Sequence, residues 1–228
     1  MRRSVVLLSG GLDSTVTLAY ALSHGYAPIA LTIRYGQRHE RELRAAKAVV
    51  DHYGLDHHVV IDLDLSSYRT SALTSAQVEV PRRGSVEEIG EDIPITYVPA
   101  RNIIFLSIAA GLAETEDAEA IFIGANAVDY SGYPDCRPEF FHAFEDVLRV
   151  GTKRGTEGGK LKVVHPILTL SKAEIVALGK KLGAPLHLTW SCYRGGAKAC
   201  GRCDSCLLRL KGFQEAGYHD ELEYEVRP

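Results

Sequence analysis

SVVLL at residues 4–8 runs directly into SGGLDS at residues 9–14, and this stretch decides the fold. Two glycines follow an apolar strand and let the backbone turn sharply and approach a ligand, because neither carries a Cβ. Residues 15–24 are predicted to form a helix whose N-terminus directs N–H groups and the positive dipole end at the turn. The stretch therefore predicts an anion site for phosphate or pyrophosphate. The alternative is an ordinary strand-to-helix turn, which would not require Ser9, Asp13 and Ser14.

The composition is that of a globular protein with one sizeable α/β domain. The 228 residues are 46% hydrophobic and carry a net charge of −3. This charge gives no general attraction to nucleic acid, and no apolar run reaches the roughly 18 residues of a membrane span. No signal peptide precedes the first strand. We therefore expect a cytoplasmic protein with neither a membrane nor a nucleic-acid partner.

Apolar strands alternate with helical segments along the chain, which is typical of a parallel sheet covered by helices. The predicted class is α/β, with a Rossmann-like doubly wound parallel sheet in residues 1–185 and a small C-terminal segment in residues 186–228. Ligands bind such sheets beyond the carboxyl ends of the strands, at the switch point, and the turn at 9–14 lies at one such end. Strands are predicted at 4–8, 28–33, 58–62, 120–124 and 163–167, and helices at 15–24, 40–53, 103–114, 138–150 and 171–182.

Three further segments carry expectations of their own. Residues 64–94 have no strong periodicity, and connections of this length are usually lids or disordered. Residues 153–162 are basic and glycine-rich, which indicates a mobile surface loop. The helix at 103–114 is apolar on nearly every side and should be buried on two of them, either by another helix or by a second subunit. We expect the second arrangement, a homodimer.

Four of the five cysteines lie close together near the C-terminus, at Cys192, Cys200, Cys203 and Cys206. In a cytosolic chain this spacing favours a metal over disulfides. Four thiolates with no open position suit a structural, tetrahedral Zn²⁺. An iron–sulfur cluster is the alternative, although the ferredoxin pattern would place a fourth cysteine three residues after Cys206. The fifth cysteine, Cys136, stands alone, and its role stays open.

The SGGLDS loop resembles the pyrophosphate loop (PP-loop) of the N-type ATP pyrophosphatases, which cleave ATP to AMP and pyrophosphate. Four more features follow in order: YGQRH at 35–39, VPARN at 98–102, SGYPDCR at 131–137, and the four cysteines. Together they resemble the 7-cyano-7-deazaguanine synthase family of queuosine biosynthesis, with Ala100 standing where that family commonly has glycine. The resemblance implies an adenine nucleotide alpha-hydrolase-like fold.

The resemblance also implies the reaction. A ligase of this family forms a C–N bond by joining 7-carboxy-7-deazaguanine and ammonium at the expense of two ATP. Successive adenylations convert the carboxylate to an amide and the amide to a nitrile, and two AMP and two pyrophosphate are released. The partners implied are therefore small molecules, with Mg²⁺ accompanying ATP and Zn²⁺ as a structural metal.

Site residues follow from the same resemblance. Asp13 and Arg101 are implied as catalytic, Asp13 as a contact to Mg²⁺ and Arg101 as a cation for phosphate or for the substrate carboxylate. The implied nucleotide-binding residues are Leu8, Ser9, Gly10, Gly11, Leu12, Asp13, Ser14 and Thr15. The implied substrate-binding residues are Arg101, Asn102, Asp129, Tyr130, Tyr133 and Asp135, and the implied metal ligands are Cys192, Cys200, Cys203 and Cys206. Tyr35, Gln37, Arg38 and His39 are expected near the same cleft, with His39 as a candidate base.

Two other functions fit parts of the sequence. One is another ATP pyrophosphatase, such as a tRNA thiolase or an amide-forming ligase. A thiolase would need a catalytic cysteine pair outside the metal cluster, and only Cys136 is available. The other is a zinc-stabilised nucleotide sensor or nucleic-acid adapter without catalysis, against which the negative net charge argues. A turnover assay separates these possibilities.

Overall fold

The computed structural model describes residues 2–37, 39–75, 77–90, 92–128 and 133–227. Its strands are β1 (Arg2–Leu7), β2 (Tyr26–Arg34), β3 (His58–Asp62), β4 (Ala120–Phe122) and β5 (Lys162–Val164). Its helices are α1 (Leu12–Ser23), α2 (Arg41–Tyr53), α3 (Arg101–Thr115), α4 (Pro138–Gly151), α5 (Lys153–Thr156), α6 (Lys172–Lys181) and α7 (Asp204–Glu215).

The five strands form one parallel sheet in the order β3-β2-β1-β4-β5. β1 is central, and its side chains alternate between the two faces of the sheet. Val5 and Leu7 pack in the cluster that contains α3 and α4, whereas Val6 and Leu8 pack in the cluster that contains α1 and α2. Helices therefore cover both faces, which confirms the predicted doubly wound α/β class. The direction of winding reverses between β1 and β4, so this gap is the switch point.

Local signals placed several helix ends correctly. Ser171 Oγ accepts the Glu174 backbone N–H at 3.3 Å and the Glu174 carboxylate accepts the Ser171 N–H at 2.8 Å, which confirms the predicted capping box at α6. α2 ends before Gly54, whose φ of +58° is left-handed, as expected for a C-terminal glycine. α1 begins at Leu12, three residues earlier than predicted. Its first turn therefore belongs to the SGGLDS stretch itself.

One expectation needs correction, one helix was missed, and one expectation extends beyond the single chain. Residues 153–156 form the short helix α5 instead of a loop, because Thr152 Oγ1 accepts the Gly155 N–H at 3.0 Å and starts the turn. α7 was not predicted at all. The single chain does not cover every side of α3, because Leu106 is fully buried while Ile103 is 44% exposed, and burial by a second subunit stays a prediction.

The long connection after β3 packs against the C-terminal segment. Its only regular element among the described residues is the 3₁₀ turn Val86–Glu88. Ala72 and Val80 share a buried cluster with the four C-terminal cysteines. Arg83 Nε donates to Asp204 Oδ1 at 2.6 Å, and this ion pair joins the connection to the start of α7. None of the described helices is long and apolar enough to cross a membrane.

Candidate active site

The loop between β1 and α1 is held by its own serines. Ser9 and Ser14 place their hydroxyl oxygens 3.1 Å apart, and Ser14 Oγ also donates to the Gly11 carbonyl at 3.1 Å. The Gly11 N–H donates to Ser9 Oγ at 3.2 Å. Gly11 is the N-cap of α1 and supplies no side-chain cap. The first-turn N–H groups and the dipole of α1 are therefore available to an anion, as predicted.

Two glycines allow close approach around this loop. Gly10 has a φ of +84°, and a Cβ there would lie 2.3 Å from the Glu42 carbonyl oxygen and 2.4 Å from the Ala46 nitrogen, so α2 packs directly on it. Gly124 follows β4, and a Cβ there would lie 2.9 Å from the Ser14 nitrogen. The ends of β1 and β4 and the start of α1 consequently meet at one point. Between them lies a cleft of about 240 Å³ at the switch point of the sheet.

Most of the predicted nucleotide residues line this cleft: Leu8, Ser9, Gly11, Leu12, Asp13 and Ser14. Gly10 and Thr15 are not part of the lining. Gly10 faces α2, and Thr15 is fully buried with a hydroxyl that has no partner among the described residues. These two residues therefore pack on the side of the loop that faces away from the cleft.

Asp13 is paired with a lysine that the sequence did not single out. Lys172 Nζ donates to both oxygens of the Asp13 carboxylate at 2.9 Å. Lys172 is the first residue of α6, and it is buried against α7, where a Cβ on Gly212 would lie 2.4 Å from Lys172 Cγ. A cation at the positive end of a helix dipole is unfavourable unless it has a partner. A lysine at the start of a predicted helix therefore indicates that an acidic partner lies nearby, although it does not say which residue that is.

Arg101 begins α3 and brings a positive charge to the cleft. Its guanidinium carbon lies 5.9 Å from the centre of the Tyr35 ring. Burial works against the charge, but nearby Tyr35 and Tyr133 raise the pKa of Arg101. Burial raises the pKa of Tyr35 to about 12 although Arg101 opposes it. Arg101 is consequently a permanent cation, and Tyr35 is a neutral phenol at ordinary pH.

The residues predicted to hold the substrate fall into three groups. Asn102 and Tyr133 line the cleft, and Tyr133 shares a hydrogen bond of 3.1 Å with Thr96. Asp135 is buried outside the lining, and its carboxylate accepts the Asn102 backbone N–H at 3.0 Å, so its contact to substrate stays a prediction. Asp129 and Tyr130 lie outside the described residues, as does Arg38 of the YGQRH stretch.

Cys136 also lines the cleft. The Asn102 side-chain amide donates to its sulfur at 3.3 Å. Burial, with a further contribution from Asp135, raises the pKa of the Cys136 thiol to about 12. The group is therefore a thiol at neutral pH, and a nucleophilic role would need the thiolate.

His39 and Glu42 follow the second strand. His39 is not part of the cleft lining and packs instead on Gly195, where a Cβ would lie 2.3 Å from His39 Cβ. Burial lowers the pKa of His39. Glu42, which the sequence did not single out, does line the cleft. Burial raises the pKa of its carboxyl to about 7, although Arg101 opposes the shift.

The four C-terminal cysteines form a closed cluster. All four are buried, and their sulfur atoms lie within 4.8 Å of one another. Tetrahedral Zn²⁺ with bonds of about 2.3 Å would separate the sulfurs by about 3.8 Å, and Cys200 and Cys206 are already 4.0 Å apart. Backbone N–H groups of Cys200 and Cys203 donate to the sulfurs of Cys192 and Cys200 at 3.3 Å. Such donors stabilise thiolates, so the donor set fits a tetrahedral metal.

A buried ion pair connects the C-terminal tail to the cleft. Arg209, on α7, is 1% exposed and donates to both oxygens of Asp220 at 2.7 and 2.9 Å. The same guanidinium donates to Thr189 Oγ1 at 2.6 Å and Ser191 Oγ at 3.2 Å. Trp190 lies between these two residues in the sequence, and its backbone N–H donates to the Gly10 carbonyl at 2.9 Å. The segment 186–228 therefore contacts the SGGLDS loop directly.

A doubly wound parallel sheet with an SGGLDS loop at its switch point defines a nucleotide-binding protein of the N-type ATP pyrophosphatase class. The sequence profile of one family within that class, described as "Queuosine biosynthesis protein QueC", matches residues 3–217. This chain belongs to that family.

Relatives agree with this assignment. The chain is 57% identical over 228 residues to a protein of Picrophilus torridus named 7-cyano-7-deazaguanine synthase, covering 100% of this chain and 94% of the relative. It is 56% identical over 227 residues to a protein of the same name from Acetivibrio thermocellus, covering 100% of both. A solved 4-thiouridine synthetase–RNA complex with bound ATP matches at 22% identity and a TM-score of 0.47, over 82% of this chain and 42% of the other. A score this low carries no argument.

Proposed function

We propose that this chain is a ligase that makes 7-cyano-7-deazaguanine from 7-carboxy-7-deazaguanine and ammonium, with ATP as the activating substrate. The observation that carries the proposal is the N-terminus of α1, without a side-chain cap, beside Arg101 and Lys172 in one cleft. This arrangement suits a polyphosphate and the charge that develops when it is cleaved. The acceptor is proposed from the relatives, which carry the name of this activity.

Two adenylations account for the conversion, because each removes one oxygen. The substrate carboxylate attacks the α-phosphorus of ATP, pyrophosphate leaves, and an acyl adenylate forms. Ammonia then attacks the carbonyl carbon, AMP departs with the electrons of the C–O bond, and a proton is lost to give the amide. The amide oxygen is adenylated in turn, and loss of AMP and both N–H protons leaves the nitrile. The protein mainly positions the reactants and stabilises charge.

We assign the roles by position in the cleft. The hydroxyls of Ser9 and Ser14 and the N–H groups of α1 hold the pyrophosphate. Leu8 and Leu12 border the nucleotide. Arg101 neutralises charge on the α-phosphate or on the substrate carboxylate. Lys172 orients Asp13 and adds a second positive charge beside the phosphates.

The substrate contacts are proposed for the start of α3 and for residues 129–135. Asn102 and Tyr133 contribute from the cleft wall, and Asp129, Tyr130 and Asp135 are proposed as further contacts. An aromatic ring of Tyr130 or Tyr133 stacks on the purine-like ring, and Asp129 or Asp135 accepts an N–H group of that ring. The thiol of Cys136 takes no covalent part, since its raised pKa leaves it protonated.

Two metals are proposed. Zn²⁺ bound by Cys192, Cys200, Cys203 and Cys206 supplies folding energy for a segment too short to build its own core. Mg²⁺ accompanies ATP and neutralises phosphate charge. Asp13 offers carboxylate oxygens, the ligands that Mg²⁺ prefers, and each retains a lone pair besides the one that Lys172 occupies.

We also propose a cytoplasmic homodimer that acts on free small molecules and not on nucleic acid. The motive is the exposed apolar side chains of α3 and α4, where Ile103, Val147 and Val150 are 44%, 56% and 63% exposed. Light scattering at micromolar concentration is expected to give twice the mass of one chain. A monomeric mass would reject the dimer.

The reaction is tested by supplying the pure protein with ATP, ammonium and 7-carboxy-7-deazaguanine and following the products by mass spectrometry. We expect the nitrile, a transient amide, and two AMP per nitrile. Starting from 7-amido-7-deazaguanine, one AMP per nitrile is expected without added ammonium. Equal ATP consumption from acid and amide would contradict the two-step scheme. Absence of any nitrile with an intact metal site would reject the function.

A further inference from the structure

Glu42 is an acidic residue of the described cleft wall for which the proposed reaction gives no role. It is the second residue of α2, and its backbone carbonyl packs on Gly10 of the phosphate loop. This contact fixes the start of the Glu42 side chain relative to the SGGLDS loop. The side chain itself lines the cleft together with Tyr35 and Arg101.

The two carboxylates of the described cleft lining have different environments. Asp13 is engaged on both oxygens by Lys172. The Glu42 side chain, in contrast, accepts no hydrogen bond from a described residue, although Arg101 lies close enough to lower its pKa against the larger effect of burial. A partly buried acceptor without a donor is costly. The cost is offset if a ligand supplies the donor.

The ligands proposed for this cleft differ in how their hydrogen-bond donors are arranged, and this arrangement decides which of them fits a carboxylate. Adenine presents the N6 amino group beside N1, which is an acceptor and would oppose a carboxylate lone pair. A guanine-like ring presents N1–H and the 2-amino group side by side, and these two parallel donors match the two oxygens of a carboxylate. Ammonium offers donors but no flat ring, and the cleft that Glu42 lines is also lined by Tyr35, Phe105 and Trp190. Flat aromatic walls favour a fused heteroaromatic ring.

We propose that the Glu42 carboxylate accepts hydrogen bonds from the N1–H and 2-amino groups of the deazaguanine ring and is the residue that selects this ring over other purine-like rings. The inference rests on the proposed function, which names the substrate. The 2-amino group and the reacting 7-substituent lie at opposite ends of the fused ring. Glu42 thus binds the end that does not react, and the other end is left for the α-phosphate of ATP.

The test compares two substrates, 7-carboxy-7-deazaguanine and its analogue without the 2-amino group. They are offered to the wild type, to Glu42→Gln and to a control, Glu40→Gln. Glu40 is exposed and stands two residues earlier, at the N-cap of α2. Losing a hydrogen bond to a charged group costs roughly tenfold to hundredfold. The wild type and Glu40→Gln are therefore expected to prefer the amino compound by about that factor in kcat/KM.

In Glu42→Gln the preference is expected to fall to about threefold or less, because an amide presents a donor where the ligand also has one. The KM values for ATP and for ammonium are expected to stay within about twofold of wild type. A wild-type enzyme that uses both ring compounds equally would overturn the proposal without any variant. An unchanged preference for the amino compound in Glu42→Gln would also overturn it. The same holds if Glu42→Gln raises only the KM for ATP or for ammonium.

A binding measurement separates this inference from the proposed function. Calorimetric titration with 7-cyano-7-deazaguanine and with its analogue lacking the amino group requires no turnover. Preferential binding of the amino compound that is lost in Glu42→Gln supports the assignment even if no nitrile is ever produced. Equal binding of the two compounds to the wild type rejects it even if the reaction proceeds. Glu42→Asp, which retains the charge on a shorter side chain, replaces Glu42→Gln if the latter does not fold.

Discussion

Replacing Gly10 with alanine is the sharpest test of how the SGGLDS loop is built. Gly10 has a φ of +84°, and a Cβ there would lie 2.3 Å from the Glu42 carbonyl oxygen and 2.4 Å from the Ala46 nitrogen. Left-handed backbone costs a non-glycine residue about 1–2 kcal/mol. Forcing atoms into packed backbone costs about 1–3 kcal/mol more. The free energy of unfolding should therefore fall by about 2–5 kcal/mol.

A matched control separates the two contributions. Gly25 has a similar φ of +75°, but a Cβ there meets nothing within 4 Å. Gly25→Ala should lower the free energy of unfolding only by the cost of a left-handed backbone, about 1–2 kcal/mol. For a chain of this size, 1 kcal/mol shifts Tm by about 2–4 °C. Thermal unfolding, followed by circular dichroism, should give Gly10→Ala the lower Tm by several degrees, together with loss of ATP binding in calorimetry. Equal Tm values for the two variants would refute the packing of α2 on Gly10.

Three other changes probe the rest of the site. Asp13→Ala should suppress AMP formation, because the loop loses the carboxylate that pairs with Lys172; AMP release at the wild-type rate from a variant shown by circular dichroism to be folded would contradict its role. The pure protein should be colourless and hold about one zinc per chain by elemental analysis, and Cys203→Ala should lose the metal and loosen the C-terminal segment to proteolysis; a brown preparation with stoichiometric iron would favour a cluster instead. Asp220→Asn should cost about 3–5 kcal/mol in urea unfolding, because it leaves the Arg209 cation buried without its partner. Burial opposes the shift, but Arg209 lowers the pKa of Asp220. The ion pair therefore stabilises the fold above the ordinary carboxyl pKa, and this stabilisation is lost on acidification. An unchanged midpoint of acid unfolding in Asp220→Asn would argue against this role of the pair.

The sequence predicted what local patterns encode. The strand β1, the loop and α1 follow one another without interruption, so glycine spacing and apolar runs were sufficient to place them. The capping box at Ser171 and the left-handed Gly54 are likewise determined within a few residues. The cysteine cluster was predictable because three of its four members, Cys200, Cys203 and Cys206, lie within seven residues. Such a short segment keeps their sulfur atoms close to one another.

Long-range pairs were not predictable in this way. Lys172 is separated from Asp13 by 159 positions, and it reaches the loop only because α6 packs on α1. Glu42 looks like any solvent-exposed glutamate on an amphipathic helix until Gly10 brings its turn of α2 onto the phosphate loop. Arg209 and Asp220 each resemble surface charges, and only the packing of α7 reveals that both are buried. α5 was missed because a four-residue helix has no periodicity to detect.

The boundary at residue 185 stays a prediction, and α7 makes contacts on both sides of it. Cys203 is the N-cap residue of α7 and Cys206 lies in its first turn, so a metal bound by the cluster would hold the start of that helix. The same helix buries Lys172 through Gly212 and carries Arg209, which holds Thr189 and Ser191 on either side of the Trp190 contact to Gly10. Two routes thus run from the cysteine cluster to the phosphate loop, one through Lys172 and Asp13 and one through the backbone of Trp190. Because both routes include α7, we expect that loss of a metal from the cluster would also disturb the geometry of the loop.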